Sequence, residues 1–295
     1  MRRILFSLAV LFTGMQLNGQ TAFQVISTSP NHTLLTAALQ QEGLDAALNN
    51  PDATFTVFAP DDNAINAAAA ALNTDIAGVL ALANLNDILT YHVLDSQVNS
   101  IDVTNGAIVN PLSTTNSLKL TRTSTDAIFV NQAQVNGADI PASNGIIHSI
   151  NAVLLPVETV VDIALDNGFT SLATAVVTAE LLPVLTNPFA NFTVFAPTNE
   201  AFAAAAVALE TDIAGLLALP NLADILTYHV LGSEVMSSGV TNGLIVNPVS
   251  TTNSLKFTVS EDMTEYFVNQ APINLGLIDI MSDNGVVHVI DAVVL

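Results

Sequence analysis

Residues 55–60 read Phe-Thr-Val-Phe-Ala-Pro, and the same six residues return at 192–197. The offset is 192 − 55 = 137. A second stretch, Leu-Thr-Tyr-His-Val-Leu at 89–94, returns at 226–231 with the same offset, 226 − 89 = 137. Around them, residues 75–98 match 212–235 at 19 of 24 positions, and 104–120 match 241–257 at 14 of 17. The later pair Asn144-Gly145-Ile146-Ile147-His148 and Asn284-Gly285-Val286-Val287-His288 is offset by 284 − 144 = 140. The chain is therefore a duplication, and the second copy gains three residues, expected in surface loops near 261–265 and 275–277.

These repeats set the domain limits. The first domain is expected at 22–154 and the second at 157–295. Each is long enough to bury its own core. The junction Leu154-Leu155-Pro156-Val157-Glu158 has no Gly/Ser tract, so the two copies should hold a restricted mutual angle rather than swing on a tether.

Within one copy, spacing and turn chemistry predict short helices followed by strands. Residues 29–48 place Leu34, Leu35, Ala38 and Leu39 on one stripe. Pro60 ends the FTVFAP run, and Asp61 or Asp62 then caps an Ala-rich helix reaching Leu72. Residues 75–82 and 84–94 read as two more helices. After Asn105-Gly106 the pattern turns to strands at 107–109, 117–123, 128–131, 133–135 and 146–154, with Asn136-Gly137 and Asn144-Gly145 supplying turns. Helices first and strands later predict an α+β fold rather than a doubly wound parallel sheet.

The N-terminus belongs to no domain. Arg2 and Arg3 precede an apolar run from Ile4 to Phe12, and polar residues follow at Asn18, Gly19 and Gln20. Residues 1–20 read as a secretory signal peptide cleaved near Gln20. No transmembrane run is expected elsewhere.

The whole chain carries a formal net charge of −21. Without Arg2 and Arg3 the balance is 3 − 26 = −23. Nucleic-acid binding needs clustered Lys and Arg, so it is excluded as a function class. An anionic membrane surface would repel the chain. There is no cysteine, which rules out disulfides, thiolate metal sites and cysteine nucleophiles. No Gly-x-Ser-x-Gly, phosphate-binding loop, calcium loop or His-x-x-His spacing is present, so no catalytic residue, cofactor or metal is expected.

FTVFAPDDNAI at 55–65 and FTVFAPTNEAF at 192–202 resemble the first signature block of the fasciclin-like domain. NGIIHSINAVLLP at 144–156 and NGVVHVIDAVVL at 284–295 resemble its second block, and the Tyr-His pair lies between them. Asp61, Asp62 and Ile65 depart from the more usual Thr-Asn-x-x-Phe, which the second copy keeps as Thr198, Asn199 and Phe202. The resemblance implies two fasciclin-like domains, each a β-sandwich or wedge with several short helices. It also implies a secreted, extracellular or periplasmic protein, in some members cell-surface associated, that adheres to a cell-surface or matrix protein or polysaccharide. In animal members the Tyr-His region and its apolar neighbours are tied to partner binding. That carries over to Tyr91, His92 and Leu94, and to Tyr228, His229 and Leu231.

The residues themselves qualify this. At 100° per residue, His92 falls on the stripe of Leu85, Ile88 and Leu89, which points its ring at the core. Tyr91 falls to one side and is the better expected contact. Strand alternation puts His148 and His288 inward, whereas His32 is expected at the surface or at a helix start. Two other functions remain open at this level: a module binding a glycan or small apolar ligand, and a hydrolase with a convergent site. The absence of Trp weighs against sugar stacking.

Overall fold

The computed structural model describes residues 19–250, 253–262 and 264–295. Most of the proposed signal peptide, 1–20, lies outside the described residues. The first copy begins with helices α1 (Ala22–Thr28), α2 (Thr33–Gln41) and α3 (Asp45–Leu48), then strand β1 (Phe55–Pro60). Helices α4 (Asp62–Ala71), α5 (Ile76–Leu80) and α6 (Leu85–Tyr91) follow. Strands β2 (Val93–Leu94), β3 (Ala107–Val109), β4 (Leu118–Arg122), β5 (Ile128–Val130), β6 (Ala133–Ala142) and β7 (Gly145–Ile150) complete it.

The second copy repeats the series with α7 (Val160–Asp166), α8 (Thr170–Thr178), α9 (Leu182–Leu185) and β8 (Phe192–Pro197). Next come α10 (Asn199–Ala208), α11 (Ile213–Leu217), α12 (Leu222–Tyr228), β9 (Val230–Leu231), β10 (Ile245–Val246) and β11 (Leu255–Val259). The last strands are β12 (Tyr266–Val268), β13 (Ala271–Pro272), β14 (Ile280–Ser282) and β15 (Gly285–Ile290). The fold class is α+β, as the order of patterns predicts.

The two signature blocks pair with each other. β1 runs parallel to β7, with Phe55 opposite Gly145 and Pro60 opposite Ile150. β8 and β15 repeat that register from Phe192–Gly285 to Pro197–Ile290. Glycine is required at the first pair. Gly145 has φ +142°, and a Cβ there would lie 1.9 Å from the Phe55 carbonyl oxygen.

FTVFAP shows no polar alternation because both faces of the strand are covered. Phe55, Val57 and Ala59 join a core with α1, α2 and α6. Phe58 enters a separate core with Leu118, Leu120, Val130 and Ile150. In the second copy Phe192, Val194 and Ala196 face the helices, and Phe195 faces the strands.

The first copy forms one seven-stranded sheet in the order β2-β1-β7-β6-β5-β4-β3. In the second copy the sheet divides into two groups of four strands. An inserted 3-10 turn at Leu275–Leu277 lies between β13 and β14, and a bridge between Ile273 and Ile290 still joins the two groups. The turn falls where the repeat offset places part of the insertion.

Capping follows sequence. The Asp61 side chain accepts from Ala64 N at 2.8 Å, and Thr198 accepts from Ala201 N at 3.1 Å. Asn144 and Asn284 do more than supply a turn. Asn144 Oδ1 accepts from Ala22 N, while its Nδ2 donates to the carbonyls of Leu48 and Asn50. The second block thereby ties α1 and α3 to the sheet.

Candidate functional site

The stretch 84–94 is not one helix. α6 ends at Tyr91, His92 caps it, and Val93 and Leu94 pair antiparallel with β1. The helical wheel still holds as far as His92, because the ring leaves the last turn on the side of Ile88. His92 Nδ1 lies 2.7 Å from the Ile88 carbonyl, and Nε2 accepts from Leu154 N at 3.0 Å. These partners assign the proton to Nδ1. His229 repeats the pattern with Ile225 O at 2.8 Å and Val294 N at 2.9 Å. Burial lowers both ring pKa values to about 4, against smaller opposing effects of the Ile88 and Ile225 carbonyls. Both rings are neutral at neutral pH, with each nitrogen occupied.

Tyr91 is not an exposed contact residue, which corrects the sequence expectation. It is 1% exposed. Its hydroxyl donates to Ser117 O at 2.9 Å and accepts from Asn131 Nδ2 at 3.2 Å. Burial raises its pKa. Tyr228 makes the same pair with Ser254 O and Asn269 Nδ2, each at 3.0 Å. Leu94 and Leu231 are buried too. The physical reason lies outside the helix: the strands β4 and β5 cover the side of α6 that a helical wheel leaves open. All six residues of the two motifs are thus brought together inside their domains, joining the middle of each domain to its last strand and to its β layer.

The other histidines are also structural. His148 Nε2 lies 2.8 Å from Val98 O, and Nδ1 accepts from Asp139 N at 3.2 Å. His288 repeats this with Val235 O and Asp279 N. His32 does stand at a helix start, but it is buried between Ser29 and Ser149 rather than exposed. Among the described residues no group of three or more His, Asp or Glu could hold a metal.

The fasciclin domain model matches residues 30–156 and again 167–295. The chain belongs to the fasciclin domain family. Transforming growth factor-beta-induced protein ig-h3 of Sus scrofa is 28% identical over 241 residues, covering 81% of this chain and 34% of its own length. Periostin of Homo sapiens is 28% identical over 275 residues, covering 92% of this chain and 31% of its own. This chain therefore spans about a third of those relatives. The Synechocystis protein sll1735 is 39% identical over 139 residues, 96% of its length and 46% of this chain. A solved FAS1 domain pair from the insect cell adhesion molecule Fasciclin I aligns over 92% of this chain and 95% of its own. That alignment has a TM-score of 0.40 and 20% identity.

One feature of this fasciclin pair was not legible as a site in the sequence. Lys119 on β4 of the first domain forms an ion pair with Asp162 on α7 of the second, and both side chains are buried. Asp162 is held by its own helix start, accepting from Thr159 N at 2.9 Å and Thr159 Oγ1 at 2.6 Å. Around the pair, Asn116 Nδ2 donates to Val157 O and Asn105 Nδ2 to Val177 O, each at 2.9 Å. Gly106 lies so close to Val177 that a Cβ would come within 2.6 Å of its side chain. The signal available in the sequence was that Lys119 and Lys256 stand at one repeat position, 256 − 119 = 137, in a chain with five basic residues.

The cavity beside His229 is about 30 Å³, walled by residues such as Val160, Leu172 and Phe195. That is well below the few hundred Å³ of a small-molecule site.

Proposed function

We propose that this chain is a secreted or surface-associated adhesion protein that binds a cell-surface or matrix protein or polysaccharide through its two fasciclin domains. The observation that carries the reading is the fasciclin domain matched twice in series, at residues 30–156 and 167–295. Two weak sites held at a fixed distance gain avidity by effective concentration. The short junction and the Lys119–Asp162 pair suit that use, since they limit the relative motion of the copies. The Tyr-His motifs contribute from inside, by holding α6 and α12 in place. No helix among the described residues is long and apolar enough to cross a membrane, which is compatible with release from the cell. The reading is non-enzymatic, and in its support every histidine among the described residues has both ring nitrogens engaged within the fold, which leaves none of them free to act as a general base.

The test uses the full chain immobilised at graded density and presented to whole cells, matrix proteins and polysaccharides. Adhesion should appear on at least one class and rise steeply with density. Retention no better than on an unrelated acidic protein, across all three classes, would defeat the reading.

A further inference from the structure

The duplication presents one face twice, once covered and once open. In the first domain that face, carried by β3, β4 and the turn before them, is seated against α7, α8 and α9. Lys119 and Thr121 are buried there, and Asn116 and Ser117 are half-buried. In the second domain the same positions are Asn253, Ser254, Lys256 and Thr258, and all are exposed. Asn242-Gly243 repeats Asn105-Gly106, and a Cβ on Gly243 would meet nothing within 4 Å. The backbone anchor of the lysine is the same in both copies: Lys256 N donates to Asn269 Oδ1 at 2.9 Å, as Lys119 N does to Asn131 Oδ1 at 2.8 Å. Among the described residues Lys256 has no ion-pair partner. Beside it lies an open cleft of about 700 Å³.

The opposite end of the molecule does not match this face. Helices α1, α2 and α3 of the first domain are the counterparts of α7, α8 and α9. Where the second domain presents Asp162, Leu165, Val177 and Leu182, the first has Gln24, Ser27, Gln40 and Asp45. Gln24 occupies the same capping-box position as Asp162 but carries no charge. A second copy docked head to tail would set the Lys256 ammonium against an amide where Lys119 meets the Asp162 carboxylate, and would put the Asp45 carboxylate where Leu182 packs, so neither charge would have the partner that the internal junction supplies.

The geometry points to the Lys256 face as a docking surface for a fasciclin-type domain on another polypeptide. That domain carries a carboxylate at the third position of its first helix and apolar residues at the places of Leu165 and Val177. Docking would repeat the internal junction: ammonium to carboxylate, Asn242 to a helix carbonyl, and a branched side chain over Gly243. It does not depend on the adhesion reading, since it concerns pairing between domains of one fold.

The probe is the chain itself, altered at its other end. A donor carries Gln24→Asp, Ser27→Leu and Gln40→Val, all at exposed positions, plus Lys256→Glu to stop it from polymerising. It is mixed with unaltered chain and followed by sedimentation velocity, after thermal melting confirms that it is folded. If the triple change disturbs folding, Gln24→Asp with Lys256→Glu serves as donor. The unaltered chain alone should remain monomeric, and the mixture should form a one-to-one complex. Lys256→Glu in the acceptor should weaken that complex by roughly tenfold or more, the equivalent of about 1.4 kcal/mol. Two outcomes overturn the proposal: two independent monomers in the mixture, or a complex indifferent to Lys256. Self-association of the unaltered chain through Lys256 would also overturn it, by making a second copy the occupant.

Discussion

Nε2 of His92 accepts the backbone N–H of Leu154 at 3.0 Å, across 62 residues of chain. The same ring closes on the Ile88 carbonyl, so one side chain joins the end of α6 to the exit of the last strand. Removing it leaves two buried backbone groups without partners and a cavity behind α6. His92→Ala should lower the stability of the first domain by about 1–3 kcal/mol. The midpoint of a urea transition followed by circular dichroism reports it. An unchanged midpoint would mean that the ring holds nothing.

Acid should act through the same residues. The folded-state pKa of His92 and His229 is about 4, whereas an unfolded histidine titrates near 6.5. Between those values the unfolded chain binds more protons than the folded one, so stability falls as pH falls. The contribution is complete above about pH 6.5 and is lost on descending through about pH 4, at a few kcal/mol per ring in order of magnitude. Burial also lowers the pKa of His288 and His32, which adds in the same direction. Carboxylates such as Asp139, whose pKa is held down mainly by its hydrogen bond from Ser100, act at lower pH. Denaturation midpoints at about pH 7.5 and about pH 5 therefore isolate the histidines. Equal midpoints would contradict buried neutral rings.

Two lysines at one repeat position should behave differently. Lys119→Met strands the Asp162 carboxylate in a buried junction, where breaking one partner of such a pair costs about 3–5 kcal/mol. Lys256 is exposed, and Lys256→Met should shift stability by less than about 0.5 kcal/mol. Small-angle scattering adds a second readout: the Lys119 variant should show a larger radius of gyration as the domains part, while the Lys256 variant should match the parent. Identical profiles for all three proteins would remove the ion pair from any role in setting the angle.

Much of the fold was legible in the order of residues. The β1 strand, the helix starting after Asp61 and most strands after Asn105-Gly106 follow from local pattern, and the insertion near 275 follows from the repeat offset, but Asn136-Gly137 is an irregularity inside β6 rather than the turn its residue types predict. Local pattern also turned His92 inward, because its partner Ile88 lies one turn away on the same helix. It failed at Tyr91, whose fate depends on Ser117 and Asn131, 26 and 40 residues distant. At His32 it found the helix start but not the burial, since Ser149 lies 117 residues on. α1 escaped notice because its seven residues are short for a periodic signal, and its capping box, Thr21 with Gln24, was the available clue.

The sequence by itself determined the duplication, the family, the α+β class and the inward turn of the repeated histidines. Each of these rests on spacing or identity along the chain. Tertiary structure alone decided that the tyrosines are covered, that Asn144 and Asn284 tie helices to sheet, and that two identical lysines lead different lives. The reason is physical. A side chain's burial depends on what the rest of the chain lays over it, and at Lys119 that cover is a second domain, whereas at Lys256 the same face is open.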